Sequence, residues 1–392
     1  MSSIVIRNAR IYRTDTRSFR EGDLLVTDGL IAAVSDGERL SLPGETARLC
    51  EEYDAAGRMV IPGLVDVHTH GRAGGDFGTA DGALLRVMAK SYLHSGVTTV
   101  LPTLASAPLQ ELKSAIGRIN ALGEEAAASP ATLPNIPGIH VEGRYLNPVK
   151  RGAHAPELLA PLDADELEDL LTAIRGVRHI SAALELDKSG EFLRRALACG
   201  ATVSLGHSNA DYLTATTLLG RGVTAFTHLY NALPALHHRD GGAVAAGLLS
   251  STAFCELICD GVHIAPEMVR LTWRLARERL VLITDSMEAT GCPDGEYSIA
   301  GMPVTVKDGR AVTHDGAIAG STLSLWQAVQ NLRLFAEIPF EDALYAATMA
   351  PALEVGVAGA VGSLEVGKRA DLIILDQWLT FGRILCGGVW VA

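Results

Sequence analysis

The sequence predicts an α/β fold: a (β/α)8 barrel of the TIM type beside a small β-sandwich built from both chain termini. Three observations predict it. Eight apolar, β-rich runs alternate with helical patterns between about residues 59 and 285. Those runs are continuously apolar rather than alternating, as strands covered on both faces are. The two ends of the chain carry short β patterns instead, and neither end alone is long enough for a stable core. The runner-up, an open doubly wound sheet, needs a glycine-rich phosphate loop after its first strand, and the chain contains no GxGxxG or P-loop sequence.

Taken in order, Ile4-Val5-Ile6-Arg7-Asn8-Ala9, Asp23-Leu24-Leu25-Val26 and Leu30-Ile31-Ala32-Ala33-Val34 read as strands, with Asp28-Gly29 and Asp36-Gly37 as turns. The first barrel strand is expected over 59–70, where an apolar run from Met59 to Val67 leads into His68, Thr69, His70 and Gly71. The other seven are expected over 98–104, 136–142, 180–185, 202–207, 225–228, 254–260 and 281–285. Helices are read over 82–94, 109–125, 164–175, 191–198, 211–219 and 266–278. The stretch Ala164-Asp165-Glu166 has the acidic first turn that a helix N-terminus prefers. Lys307-Asp308-Gly309-Arg310, with β runs on both sides, reads as a hairpin inserted after the eighth strand. Asp371-Leu372-Ile373-Ile374-Leu375 and Gly388-Val389-Trp390-Val391 are the last strand candidates. Residues 1–56 plus 357–392 are thus expected to form the small domain and 57–356 the barrel.

Composition narrows the partners. With 33 basic and 45 acidic side chains the net charge is -12, which argues against nucleic acid, since that partner needs a basic face. A few local arginines and histidines can still bind a small anion. No apolar stretch reaches the length of a membrane span. The opening Met-Ser-Ser-Ile-Val-Ile-Arg-Asn lacks the pattern of a signal peptide. The six cysteines are scattered, without a Cys-x-x-Cys pair, so reduced thiols and a cytoplasmic location are expected.

In a barrel of this kind the working residues sit at the C-terminal ends of the strands. Reading those ends in order yields His68 and His70 on the first strand, Glu142 on the third, His207 on the fifth, His228 on the sixth and Asp285 on the eighth. His68 and His70 are two apart, so a strand projects both from one face. All six are metal-ligand types, and each follows an apolar stretch where a polar side chain is costly to bury. One such histidine is ordinarily a satisfied core group; five strand ends sharing the exception point to a divalent metal.

Segments in order along nearly the whole chain resemble the N-acetylglucosamine-6-phosphate deacetylase family of the amidohydrolase superfamily. They include Pro-Gly-Leu-Val-Asp-Val-His-Thr-His-Gly (62–71), Gly-Ile-His-Val-Glu-Gly (138–143), Leu-Asn-Pro-Val-Lys-Arg-Gly-Ala-His (146–154) and Leu-Gly-His-Ser-Asn-Ala (205–210). Thr-His-Leu-Tyr-Asn-Ala (227–232), Asp-Gly-Val-His (260–263), Ile-Thr-Asp-Ser-Met (283–287), Ala-Gly-Ser-Thr-Leu (319–323) and Gly-Ser-Leu-Glu-Val-Gly-Lys-Arg-Ala-Asp-Leu-Ile-Ile-Leu (362–375) follow. The first and last of these mark only the superfamily. The segments around Glu142 to His154 and around His228 are the specific ones.

The resemblance implies removal of the acetyl group of N-acetyl-D-glucosamine 6-phosphate. It makes Glu142, His207 and His228 ligands of a main catalytic metal and His68 and His70 ligands of a second, so one or two divalent ions are expected, zinc foremost and iron among the alternatives. Asp285 is implied as the acid and base, with His154 stabilising the oxyanion. Asn231 and Ala232 (through its backbone), His263 and Arg239 are implied to hold the sugar phosphate; the roles of neighbouring His237 and His238 are not separated. A phosphate contact across subunits is a family trait, so a homodimer is expected. Many relatives bridge two metals with a lysine of the fourth strand; here Lys188 falls beyond that strand and is read as solvated. The family usually has proline where this chain has Arg144, which is expected to recognise an anionic group or shift sugar preference, with an outward-pointing side chain as the alternative. Rival readings are the N-acetylgalactosamine 6-phosphate epimer, which the sequence does not separate, a cyclic-amide hydrolase or deaminase, and a scaffold without activity.

Overall fold

The computed structural model describes residues 3–42, 44–314 and 316–391. Eight parallel strands form the central barrel in chain order: Leu64–Thr69, Val97–Leu104, Gly138–Glu142, Val177–Ala182, Thr202–Leu205, Ala225–Phe226, Phe254–Ile258 and Leu280–Ile283. The first and eighth strands meet through Asp285 N–H to the His68 carbonyl and His70 N–H to the Ser286 carbonyl, both at 2.9 Å. Below them the buried Asp66 carboxylate accepts from Thr284 Oγ1 at 2.7 Å. The seam that closes the cylinder thus runs through residues named above as functional.

Helices cover the outside. Gly82–His94 and Glu191–Ala198 match their expected bounds, and Asp81, Asp163 and Asp211 cap helix N-termini with their carboxylates. Gly242–Leu249, Leu325–Ala336, Phe340–Ala346 and Met349–Glu354 were not marked by periodicity. The first of these, Gly-Ala-Val-Ala-Ala-Gly-Leu-Leu, is apolar all round and has no amphipathic stripe to read.

The expected first strand divides in two. Met59–Pro62 belongs to the terminal sheet and Leu64–Thr69 to the barrel. Gly63 is the pivot: a Cβ there would lie 2.0 Å from Thr98 Oγ1, so only glycine lets the chain cross between the sheets. The terminal unit is one hydrogen-bonded sheet rather than two separate ones, in the order Val389–Trp390, Phe381–Cys386, Leu372–Leu375, Met59–Pro62, Ser3–Arg13, Ser18–Thr27, Leu30–Val34, with Cys50–Asp54 also paired to Ser3–Arg13. Ile31 and Leu385, from opposite ends of that order, share one buried cluster, so the sheet curls over its own core. Tyr12 Oη donates to the Glu341 carbonyl at 2.7 Å and Phe19 stacks on Phe340, which seats this unit against the barrel helices.

The insertion after the eighth strand is a three-stranded sheet, Gly295–Ile299, Met302–Lys307 and Arg310–Thr313. Its tight turn places Asp308 and Gly309 at φ of 51° and 71°, the primed geometry that suits a hairpin's twist. All six cysteines are free thiols, and among the described residues no helix is long and apolar enough to cross a membrane.

A buried ion pair ties the first two strands of the terminal sheet. Arg7 Nη1 donates to Asp23 Oδ2 at 2.7 Å, and Asp23 also accepts the backbone N–H groups of Asn8 at 3.1 Å and Leu40 at 3.0 Å. Burial would raise the Asp23 pKa, but these donors hold it below the usual carboxylate value. A depressed carboxylate stabilises the fold above its unfolded pKa and loses that contribution as pH falls through the folded value. Stability followed by circular dichroism should therefore decline below about pH 4, and Asp23→Ala should cost about 1–3 kcal/mol at neutral pH, Arg7 keeping Glu52 at 3.4 Å while the Asn8 and Leu40 N–H groups lose their acceptor.

Candidate metal centre and active site

At the C-terminal mouth of the barrel six polar side chains converge. Three of them, His207, His228 and Asp285, do not end strands as expected. Each lies two residues past its strand, with φ of 47°, 30° and 47°. The left-handed region costs a residue with a Cβ about 1–2 kcal/mol, and strain of this kind persists where the surroundings over-determine it. Here it turns each side chain from the strand axis into the mouth.

The hydrogen bonds fix which ring nitrogen faces inward. His207 Nδ1–H donates to the Lys150 carbonyl at 2.8 Å, and His228 Nδ1–H to the Asn231 carbonyl at 3.1 Å. Both Nε2 atoms then carry lone pairs. They lie 3.1 Å from each other, and 3.3 Å and 3.0 Å from Glu142 Oε1. On the other side, His68 Nδ1–H donates to Glu256 at 2.9 Å, leaving Nε2 buried, without a hydrogen-bond partner, and 3.3 Å from Glu142 Oε2. His70 Nε2 lies 2.9 Å from Glu142 Oε2 and 3.3 Å from Asp285 Oδ1.

Acceptors packed at such distances repel one another unless positive charge sits between them. Protons on the rings can supply that charge. Burial alone would push the His70 imidazole down, yet hydrogen bonds to Asp285 and Glu142 raise it to about 9. Burial would raise Asp285, but the bond to His70 and the charges of His68 and His70 hold it at about 2. Glu142 is likewise kept well below the carboxylate range against its burial. Imidazole nitrogens and carboxylates aimed at one point are the donor set of a divalent metal, and the ligands fit such an ion.

His154 differs. Its Nδ1 accepts the Ser106 backbone N–H at 3.3 Å and lies 2.9 Å from Ser106 Oγ, so Nε2 carries the hydrogen. Burial, with a smaller effect of His207, lowers its pKa to about 3 and keeps the ring neutral. His154, His70, Glu142, His207, His228 and Asp285 all line one cavity of about 260 Å³, at the small end for a ligand pocket. Asn231, Ala232 and His263 line it too, and Ile299 and Ala300 of the inserted sheet form its roof. His263 Nδ1–H is held by Asp260 at 2.7 Å.

Two expected residues stand elsewhere. Arg144 turns away from the cavity: its Nε pairs with Glu166 at 2.9 Å and its Nη1 donates to the Ala107 carbonyl at 3.1 Å. The anion-recognition role is thereby corrected, because the guanidinium is committed to a carboxylate of the helix Ala164–Ala173. Arg239 is exposed, beside His238 Nε2 at 2.8 Å, and is outside its own chain's cavity. Lys188 is exposed, as expected. Sequence reading missed Glu185, which binds Asn147, Ser208 and the Asn209 backbone beside His207, and Glu256. The signal for Glu256 was a lone carboxylate inside the apolar strand Phe254–Ile258.

Glu142 offers one oxygen to each group of histidines, so both groups depend on it. Zinc added to chelator-treated protein should raise its melting temperature by several degrees. Glu142→Ala should abolish that rise, as read by differential scanning fluorimetry.

The amidohydrolase family pattern matches residues 59–385. The chain is 34% identical over 384 residues to an N-acetylgalactosamine-6-phosphate deacetylase of Escherichia coli O157:H7, covering 98% of each chain. It is 35% identical over 320 residues to an N-acetylglucosamine-6-phosphate deacetylase of Vibrio furnissii, covering 81% of this chain and 79% of the other. Among solved structures, that of the Mycobacterium smegmatis N-acetyl-D-glucosamine-6-phosphate deacetylase in complex with N-acetyl-D-glucosamine-6-phosphate superposes with a TM-score of 0.85 at 29% identity over the full length of both chains. With the pattern spanning most of its length and the barrel mouth built as described, the chain belongs to the amidohydrolase family.

Proposed function

We infer that the protein hydrolyses the acetamide of N-acetyl-D-glucosamine 6-phosphate, giving D-glucosamine 6-phosphate and acetate. The observation that carries this is the joining, in one small cavity, of four metal-ligand side chains (His70, Glu142, His207 and His228), an ionised Asp285 and a neutral His154 that donates from Nε2, with His68 Nε2 3.3 Å from Glu142. Relatives named for this deacetylation and matched over most of their length support the substrate class.

Glu142, His207 and His228 would hold one divalent ion and His68 and His70 a second that shares Glu142, zinc suiting this donor set and iron also compatible; bound there, the cation makes water acidic and polarises the amide carbonyl. Asp285 takes the proton from the attacking water as its oxygen bonds to the carbonyl carbon. His154 donates from Nε2 to the carbonyl oxygen as negative charge builds on it. Asp285 then returns the proton to the nitrogen as the C–N bond breaks, releasing the amine and acetic acid; the acid's remaining proton passes to the amine, leaving acetate and an ammonium group. Against its burial, the bond to His70 holds the Asp285 carboxyl below the usual range, which favours the ionised form that a base requires.

Asn231, the Ala232 backbone and His263, which line the same cavity, hold the sugar. Arg239 suits the phosphate through its planar, bidentate donors. Arg239 is exposed and outside its own chain's cavity, which leaves its guanidinium free to reach a neighbouring copy in a homodimer. The acidic net charge and the free thiols support a cytoplasmic enzyme that binds no nucleic acid.

The galactosamine epimer is the second reading, favoured by the full-length likeness to the Escherichia coli enzyme. Acetate release measured on both N-acetylhexosamine 6-phosphates decides between them: a kcat/KM at least tenfold higher for the gluco epimer is the expected result. Asp285→Asn should lower kcat by a factor of about 10²–10⁴ with metal content unchanged. Arg239→Ala should raise KM about tenfold for the phosphorylated substrate, and leave KM for N-acetylglucosamine itself unaltered.

A further inference from the structure

Beneath the converging imidazoles the barrel floor is polar. Glu256 stands on the seventh strand, fully buried. Its Oε2 receives two bonds that reach different parts of the site: His68 Nδ1–H at 2.9 Å and the His228 backbone N–H at 3.1 Å. Its Oε1 makes no hydrogen bond and lies 3.9 Å from His179 Nε2. The other face of His68 is closed by His140, edge-on at 4.7 Å, whose two ring nitrogens are taken by Thr103 and Ser181 hydroxyls. His68 Nδ1 therefore has Glu256 as its one hydrogen-bond partner among the described residues.

We propose that Glu256 is the positioning residue for the second metal, fixing His68 with Nδ1 protonated and Nε2 bare toward Glu142, and so setting how tightly the His68–His70 pair binds an ion. This rests on the metal reading above. The ligands are supported unequally. His207 and His228 lean on neutral backbone carbonyls, and His70 Nδ1 has no hydrogen-bond partner. Only His68 has a full negative charge behind it, which fixes its tautomer and makes Nε2 a stronger ligand. A buried carboxylate costs several kcal/mol unless its charge is answered, and a cation on the far side of His68 answers it through the ring. The bond to the His228 backbone ties the two metal positions to one anchor, so their spacing depends on the same side chain.

The test is metal binding rather than turnover. Wild-type protein, freed of metal and titrated with cobalt(II), should take two equivalents, each with its own visible absorption band. Glu256→Ala should take one with wild-type affinity and lose the second band. Glu256→Gln, which keeps an acceptor but not the charge, should bind the second ion about 10–100-fold more weakly. Second-ion affinity equal to wild type in both variants would overturn the proposal, as would a wild-type protein that takes one equivalent. Wild-type protein that takes no metal at all sinks the metal reading itself. Should Glu256→Ala not fold, Glu256→Gln carries the titration. Nitrogen NMR of the wild-type ring then adds a second readout: His68 protonated at Nδ1 supports the proposal, and protonation at Nε2 refutes it.

Discussion

The constraint on which this molecule turns is the crowding of electron pairs around Glu142. Its two oxygens face four imidazole nitrogens at 2.9–3.3 Å. For three of those rings the opposite nitrogen is committed as a donor, to Lys150, Asn231 and Glu256. Neutral rings that keep those outer bonds turn lone pairs toward Glu142, so the cluster needs positive charge, carried either by protons on the imidazoles or by a cation. A divalent cation satisfies it without disturbing any of them. The outer bonds are therefore as much a part of the site as the inward-facing atoms.

The barrel makes this crowding bearable. Its eight strands are short, and the chain leaves three of them two residues before the functional side chain, through a left-handed turn. That conformation is unfavourable for a lone His or Asp in water. It persists because the turns are pinned: Asp285 N–H to the His68 carbonyl, Leu229 N–H to Glu256, Asn147 N–H to the His207 carbonyl. The core that holds these pins runs through the barrel and its helices as one cluster, while the terminal sheet and the inserted sheet have small cores of their own. Strain at the mouth is thus carried by the largest packed body in the chain.

Much of this was legible in the sequence. A polar residue at the end of an apolar run is conspicuous because burial penalises it, and His68, His70, Glu142, His207, His228 and Asp285 all stood out on that ground. What did not show was direction. Arg144 has the right position for the mouth, but its left-handed backbone and the nearby Glu166 carry it outward, and neither is visible in a linear reading. Glu256 sits mid-strand, where one carboxylate among Phe, Cys, Leu and Ile looks like noise until the fold places it under His68. The helix Gly242–Leu249 was lost because a helix buried all round has no period to detect. The division at Gly63 was hidden because two strands of different sheets follow each other without a change in composition.

The same geometry separates catalysis from discrimination. In the proposed reaction the residues around Glu142, with Asp285 and His154, come from strand ends, the turns just past them and the loop after the third strand, and would address groups that both candidate epimers share: the acetamide and the water that attacks it. The residues able to sense a single sugar hydroxyl are others. His263 follows the seventh strand, Asn231 the sixth, and Ile299, Ala300, Ile318 and Ala319 belong to the inserted sheet and its return. That inserted sheet packs on Met287 and Ala289, just beyond Asp285, and buries its own cluster there. It also packs on Ala153, so it touches both the loop after the third strand and the chain beyond the eighth. The inserted sheet thus lines the cavity from outside the barrel, while the charges around Glu142 are held from within it.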